Sequence, residues 1–323
     1  MQFFDYILAD FNATLGKFTM IGPRFSWLFL LSAIVIALIF YRRTASQKWS
    51  VKEAIKQTFP SEVLLHPSSL LDYRYGAVNY FVRLLAFGIF MISGAQVASN
   101  TQGLFETLFG AQSPDTTPPG LWFVALITIL LVLALDFGLF MAHFIMHKVP
   151  VLWEFHKVHH SAEMLTPITV LRMHPVDMII NSWIVAICVG IVNGSYVYLY
   201  PDPEQAKWLF MSNTIVFTFY FFGYHLRHSH VWIMFPKGIR QIISSPALHL
   251  IHHSTERKHW DKNFGRIFIL WDRIVGAAYI PKEREEITFG IGTSEDGEYD
   301  TVYKLYMLPF RKALALLQKK PAS

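Results

Sequence analysis

The run Leu121–Ala142 constrains this chain most: it is almost wholly apolar, holds one ionisable residue, Asp136, and leads without a break into His143. A run of that length matches the hydrocarbon thickness of a bilayer. Four further apolar runs, Phe25–Tyr41, Val78–Ala98, Met178–Tyr200 and Lys207–Tyr224, suit the same use. The expected fold is all-α: a multi-span transmembrane helical bundle of four to five spans, with a cytoplasmic histidine-rich helical cap. Composition agrees, because 53% hydrophobic and 16% charged residues are too apolar a mixture for an ordinary soluble enzyme.

The basic residues give an orientation. Residues 42–77 hold Arg42, Arg43, Lys48, Lys52, Lys56 and Arg74, residues 99–120 hold no Lys or Arg, and the chain is basic again from His225 onward. The positive-inside rule then places every histidine cluster on the cytoplasmic face. Arg83, near the inner end of the second run, can snorkel. Gly190 and Gly194 mark the fourth run as packed against another helix. Residues 1–24 lack the pattern of a cleaved signal peptide. The formal charge of +5 needs no nucleic-acid partner, since basic flanks of spans account for it. The single cysteine, Cys188, excludes disulfides within the chain. No internal repeat beyond a histidine pattern occurs, so the chain reads as one structural domain: N-terminal spans over 1–120, a catalytic region over 121–280 and a cytoplasmic tail over 281–323. The tail, YKLYMLPFRKALALLQKK, suits the inner membrane surface or an ordinary soluble helix equally.

Histidine spacing supplies the chemistry. His143 and His147 are four apart, so on a helix they share a face. His156, His159 and His160 form H-x-x-H-H, and His249, His252 and His253 repeat it. A nitrogen shell without cysteine suits iron, zinc, copper or nickel. Eight imidazoles exceed the needs of one ion but serve two, with four to six ligands each and positions left open for oxygen or water. Asp136, two turns before His143, either supports that site or bonds one helix to another. His225 and His230 flank His228 and are weaker candidates, while His66 and His259 read as ordinary surface or loop residues.

These motifs, in this order on a multi-span chain, resemble the fatty acid hydroxylase / sterol desaturase superfamily of membrane di-iron oxygenases, over roughly residues 120–280. The aspartate before H-x-x-x-H, the box LWEFHKVHHS, the element RMHPVD with Arg172, His174 and Asp177, and SPALHLIHHS followed by DKNFG and WDRIVG carry the resemblance. The third-box region is most similar to a branch that includes alkylglycerol monooxygenase, where a lone histidine followed by a small residue precedes the third box, here His228-Ser229. Phe144 departs from the arginine often found after the first histidine.

The resemblance implies a ligand set of His143, His147, His156, His159, His160, His228, His249, His252 and His253, with His174 a tenth. It also implies two iron ions and O₂ as co-substrate. Asp261, Asn263 and Asp272 would orient histidines or fix the loop after the third box, the alternative being salt bridges to Arg266 or Arg273. The expected function is hydroxylation of a lipid C–H bond, or desaturation by the same site. No flavin, haem or nicotinamide fingerprint is present, so electrons would come from a ferredoxin, cytochrome or reductase. A metal transporter or metal-binding membrane protein is the alternative of another class. The expected location is a bacterial inner membrane.

Overall fold

A computed structural model describes residues 27–44, 50–90, 92–112, 120–201, 206–292 and 294–318. Helices account for the architecture: α1 (Trp27–Thr44), α2 (Val51–Thr58), α3 (Ser61–Leu64), α4 (Pro67–Phe90), α5 (Gly94–Phe109), α6 (Leu121–Lys148), α7 (Pro150–His160), α8 (Pro175–Leu199), α9 (Ala206–Phe221), α10 (Pro246–His252), α11 (Leu270–Ile274) and α12 (Val302–Gln318). Among the described residues there is no strand, only isolated bridges between Ile243 and Phe268 and between Ser254 and Phe289. An apolar segment in lipid must satisfy its backbone internally, and a helix does so within one segment.

Two helices, α6 and α8, are long and apolar enough to cross a membrane. They pack on each other, and α5 packs along α8. That last contact depends on missing side chains. A Cβ on Gly194 would lie 2.3 Å from the Ala98 carbonyl oxygen, and one on Gly190 would lie 2.6 Å from the Val97 Cβ. Both glycines therefore let two backbones approach closely, as their sequence context implies.

The expected span Val78–Ala98 is not one helix. Here α4 ends at Phe90, Ile92 and Ser93 are non-helical, and α5 starts at Gly94 and continues to Phe109, through much of the expected outer connection. Ser93 is extended at the entry to α5, and Gly110 ends that helix at φ 85°. The first and fifth apolar runs fall on α1 and α9. The signal-peptide reading over 1–24 and most of the turn at 201–203 lie outside the described residues.

The histidine-bearing helices follow a common local rule. Pro150, Pro175 and Pro246 each occupy the first turn of α7, α8 and α10. Proline has no N–H to lose there, and its fixed φ suits a helix start. The chain after the third motif is tied back to α6 by Asp136, which accepts hydrogen bonds from Ile267 N (2.8 Å), Phe268 N (3.1 Å) and Trp271 Nε1 (3.0 Å). The tail is not a detached extension: α12 packs on α7, and Leu305 and Tyr299 join Leu71, Tyr75 and Val158 in a buried cluster. Its other face leaves Tyr303, Leu314 and Leu317 exposed.

Candidate metal centre

Nine of the ten histidines singled out from the sequence converge, and they sort into two groups. His143, His147, His156, His160 and His252 form one; His159, His228, His249 and His253 form the other. Within each group the potential ligand atoms all lie within 4.8 Å of one another. The doubled H-x-x-H-H explains the sorting. On α7 the outer pair, His156 and His160, serves the five-histidine group and the middle residue His159 serves the other. On α10 the assignment is reversed: His249 and His253 serve the four-histidine group, and His252 the first. Each motif thus contributes to both sets, and the two helices are reciprocal.

Ring orientation comes from the far nitrogen. His143 Nδ1 donates to the Phe264 carbonyl (3.0 Å), His252 Nδ1 to the Lys262 carbonyl (2.8 Å) and His159 Nδ1 to the Arg172 carbonyl (3.3 Å). His156 Nδ1 lies 2.6 Å from Asp177 Oδ2, with both side chains buried. Fixing Nδ1 as the donor leaves Nε2 with its lone pair turned inward, the usual preparation of a metal-binding imidazole. His147 Nδ1 faces Asp261 at 3.6 Å, too far for a hydrogen bond, and Asp261 itself pairs with Lys148 at 2.6 Å.

The residues present fit a metal. Nε2 of His147, His156, His160 and His252 is buried in every case and has no hydrogen-bond partner. Orphaned buried polar atoms are costly, and four facing one point indicate a missing shared partner. In the other group the Nε2 atoms are 3.1 Å apart for His159 and His228, 3.0 Å for His228 and His249, and 3.2 Å for His249 and His253. With metal–nitrogen bonds of about 2.1 Å, neighbouring ligands lie about 3.0 Å apart in an octahedron and about 3.4 Å in a tetrahedron. Burial disfavours the charged imidazolium, so His159 and His252 are pushed down to about 3, and His160, His228, His249 and His253 also lie well below the usual histidine value. All are therefore neutral near pH 7, the form that binds metal.

His174 is the exception. Its Nδ1 accepts the Val176 N–H (3.1 Å) at the start of α8, and its Nε2 donates to the Tyr306 carbonyl (3.2 Å). With both nitrogens engaged it caps a helix and ties α12 down, and it joins neither group. His225 lies beside Phe29 and Tyr224, and His230 Nε2 donates to the Gln57 carbonyl at 2.8 Å. His66 accepts the Ser68 N–H at the start of α4. His259, read as a surface or loop residue, lies in the loop after α10 but is fully buried, bonded to Ser254 Oγ (2.8 Å) and Glu285 Oε2 (3.0 Å).

The carboxylates and the amide act mainly on the loop. Asp136 touches no histidine, but it fastens the segment whose Phe264 carbonyl holds His143. Asp272 accepts the N–H groups of Phe264 (2.7 Å) and Gly265 (2.9 Å), and burial raises its carboxyl to about 6 against the pull of those bonds. Asn263, at φ 58°, accepts Tyr279 N–H and donates to the Leu248 and Tyr279 carbonyls. No salt bridge from Asp272 or Asp261 to Arg266 or Arg273 occurs among the described residues.

Three supports have a role that spacing did not reveal. Asp177 stood in RMHPVD without an assigned partner, and Pro175 is the signal that turns it toward α7. Arg227 Nη2 lies 3.2 Å from His249 Nδ1 and also donates to the Gly265 carbonyl at 3.0 Å. Arg172, 1% exposed, pairs with Asp72 at 3.0 Å and donates to the Val158, Ser161 and Tyr299 carbonyls. A cavity of about 310 Å³ reaches the five-histidine group past His147, His160 and His252, walled by Trp153, Lys157 and Trp260.

Comparison with known proteins agrees with this geometry. The family model "Fatty acid hydroxylase" matches residues 128–277. Human alkylglycerol monooxygenase is 28% identical over 160 residues, 49% of this chain and 32% of that protein. The ornithine lipid hydroxylase OlsE of Rhizobium tropici is 30% identical over 173 residues, 54% of this chain and 48% of that protein. A Delta(7)-sterol 5(6)-desaturase of Gibberella zeae is 26% identical over 171 residues, 52% of this chain and 43% of that protein. The match thus spans a third to a half of the length of these relatives. No solved structure matches. Over residues 128–277, the histidine-bearing region, this chain is similar to the fatty acid hydroxylase family.

Proposed function

We propose that this protein is a membrane-bound di-iron monooxygenase that uses O₂ to hydroxylate a C–H bond of a lipid, with electrons from a separate donor such as a ferredoxin, a cytochrome or a reductase. One observation carries the reading: nine imidazoles divide into two groups, with the five-histidine group presenting four buried, unpartnered Nε2 atoms to one point. Iron held there supplies, with O₂ and two electrons, the oxidising power that an unactivated C–H bond demands. His143, His147, His156, His160 and His252 would hold one ion, and His159, His228, His249 and His253 the other. The protein fixes the direction of these rings through Asp177 and the carbonyls of Phe264, Lys262 and Arg172. Apolar packing around the group, with Phe140, Phe144 and Phe264 clustered beside His143, excludes water from that side.

The basic segments on the histidine side of the spans support a cytoplasmic site in a bacterial inner membrane. The same site serves desaturation equally well, and a sterol desaturase stands among the relatives. A transporter would carry ionisable groups along several spans. Here α6 has Asp136, which is engaged with the loop, and α8 has Asp177, in its first turn.

The test is the metal content of detergent-purified protein beside its His156→Ala and His249→Ala variants. About two irons per chain, reduced in each variant, together with a lipid product heavier by one oxygen, is the expected result. One ion or none in iron-supplied protein, or no oxidised lipid with a competent donor, overturns the assignment.

A further inference from the structure

Arg266 stands on the loop between the third histidine motif and α11, and its backbone is held from every side. Its carbonyl accepts a hydrogen bond from Arg227, while the N–H groups of Gly265 and Ile267 are bound by Asp272 and Asp136. Its side chain makes no hydrogen bond or ion pair among the described residues. Nη1 is buried without a hydrogen-bond partner, and no carboxylate pairs with this guanidinium among the described residues. A guanidinium cannot shed its charge to escape that position.

The side chain lines a cavity of about 210 Å³ between α6, α8 and α9. Leu139, Val185 and Val216 make its apolar wall; Asn181, Tyr220 and Arg266 make its polar one. The cavity borders the metal centre, since Leu139 lies one helical turn before His143 on α6. The Arg266 charge is also among those that depress the His228 imidazole. An unpaired cation beside helices apolar enough to cross a membrane is costly unless something anionic joins it. The larger cavity at the five-histidine group has no such vacancy: Lys157 is already paired with Glu154 (2.7 Å) and Glu295 (2.8 Å).

We propose that the cavity between α6, α8 and α9 seats the anionic group, carboxylate or phosphate, of an amphiphilic substrate, with Arg266 as its specificity-determining cation. The inference rests on the reading of the site as a lipid oxygenase and narrows it. The oxidised carbon then lies within a few bonds of the polar end, because Leu139 connects the cavity to His143 over one turn. The far end of an acyl chain would not reach that place with its head seated on Arg266.

Binding tests this without turnover. Full-length protein in detergent is titrated with oleate against methyl oleate, and with hexadecyl phosphate against hexadecanol. A charge-assisted hydrogen bond to a partly buried cation predicts that at least one anion binds about ten-fold or more tightly than its neutral counterpart. The pair with the larger ratio identifies the head group. Arg266→Gln is expected to bring that ratio close to one with iron content preserved, and Arg266→Lys to restore part of it. The proposal is overturned if wild-type protein binds acid and ester alike, a comparison that needs no variant, or if the ratio survives in Arg266→Gln. Displacement of the lipid by millimolar acetate or inorganic phosphate alone would assign the site to a free anion and overturn it too. Clear discrimination in an iron-loaded protein that oxidises no lipid would support this inference while removing the functional one.

Discussion

Asp177→Asn isolates one of the two groups. The carboxylate lies 2.6 Å from His156 Nδ1, and the two residues are 1% and 3% exposed, so no water stands ready to replace it. Asparagine preserves shape and can still accept the imidazole N–H through its carbonyl, but it removes the negative charge that makes the ring a stronger donor to metal. Loss of such a supporting carboxylate costs roughly 10- to 100-fold in metal affinity, about 1.4–2.7 kcal/mol. Asp177→Ala should cost more, because it leaves a buried N–H unpaired. His156 belongs to the five-histidine group alone, and the other group is anchored through Arg172 and Arg227. Chelator titration of iron-loaded protein should therefore show one ion released at 10- to 100-fold lower chelator concentration, about the range above, and the second at the wild-type concentration. Two ions weakened equally, or neither, would refute the division of the histidines into separately supported sets.

Three further outcomes follow from other features. His159 and His252 titrate near 3 when folded and near 6.5 when unfolded, so between those values the unfolded chain binds more protons and stability falls with the pH. The melting temperature of metal-free protein should be level above about pH 7 and drop as pH falls through 6 and 5; a rise on acidification would contradict the burial argument. Gly194→Ala should destabilise by about 1–3 kcal/mol through overpacking against Ala98, whereas Gly103→Ala, with nothing within 4 Å of the new methyl, should be neutral or stabilising in the same thermal assay. Asp72→Ala strands the Arg172 guanidinium, whose carbonyl holds His159, and should cost about 3–5 kcal/mol in thermal stability; an unchanged melt would remove Arg172 from the framework of the site.

The motifs were legible because metal chemistry leaves little freedom. A metal site of this kind would need an imidazole at each position and helical spacing decides which rings share a face, and on those grounds nine histidines that converge in the structure could be read off. His174 escaped that logic because a histidine before Pro175 serves a helix cap as well as a metal, and only its two bonds to backbone groups decide. Asp177 and Arg227 were invisible as partners since a supporting group needs only one contact, made across 21 and 22 residues of chain. The break at Ile92–Ser93 was hidden by an apolar run that continues across it, for hydropathy records burial but not the direction of the backbone. Gly190 and Gly194 announced a close helix contact correctly, while the identity of the helix that fills it, α5, lay in a stretch read as a connection.

The reciprocal use of α7 and α10 makes the centre a clasp that closes late. Each group needs rings from both helices, so no complete set exists until the chain has been synthesised past His253 and the intervening α8 and α9 have folded back. Joining ends that far apart costs about (3/2)RT ln n in closure entropy, and metal bound across them returns that cost only at the last step. Before that step, α7 can face only His143 and His147 of α6, so the first set lacks His252 and the second lacks His249 and His253. If metal binds as proposed, filling of both sets would coincide with completion of the fold, and a chain truncated before α10 should lack the four-histidine ion, of whose ligands only His159 and His228 remain.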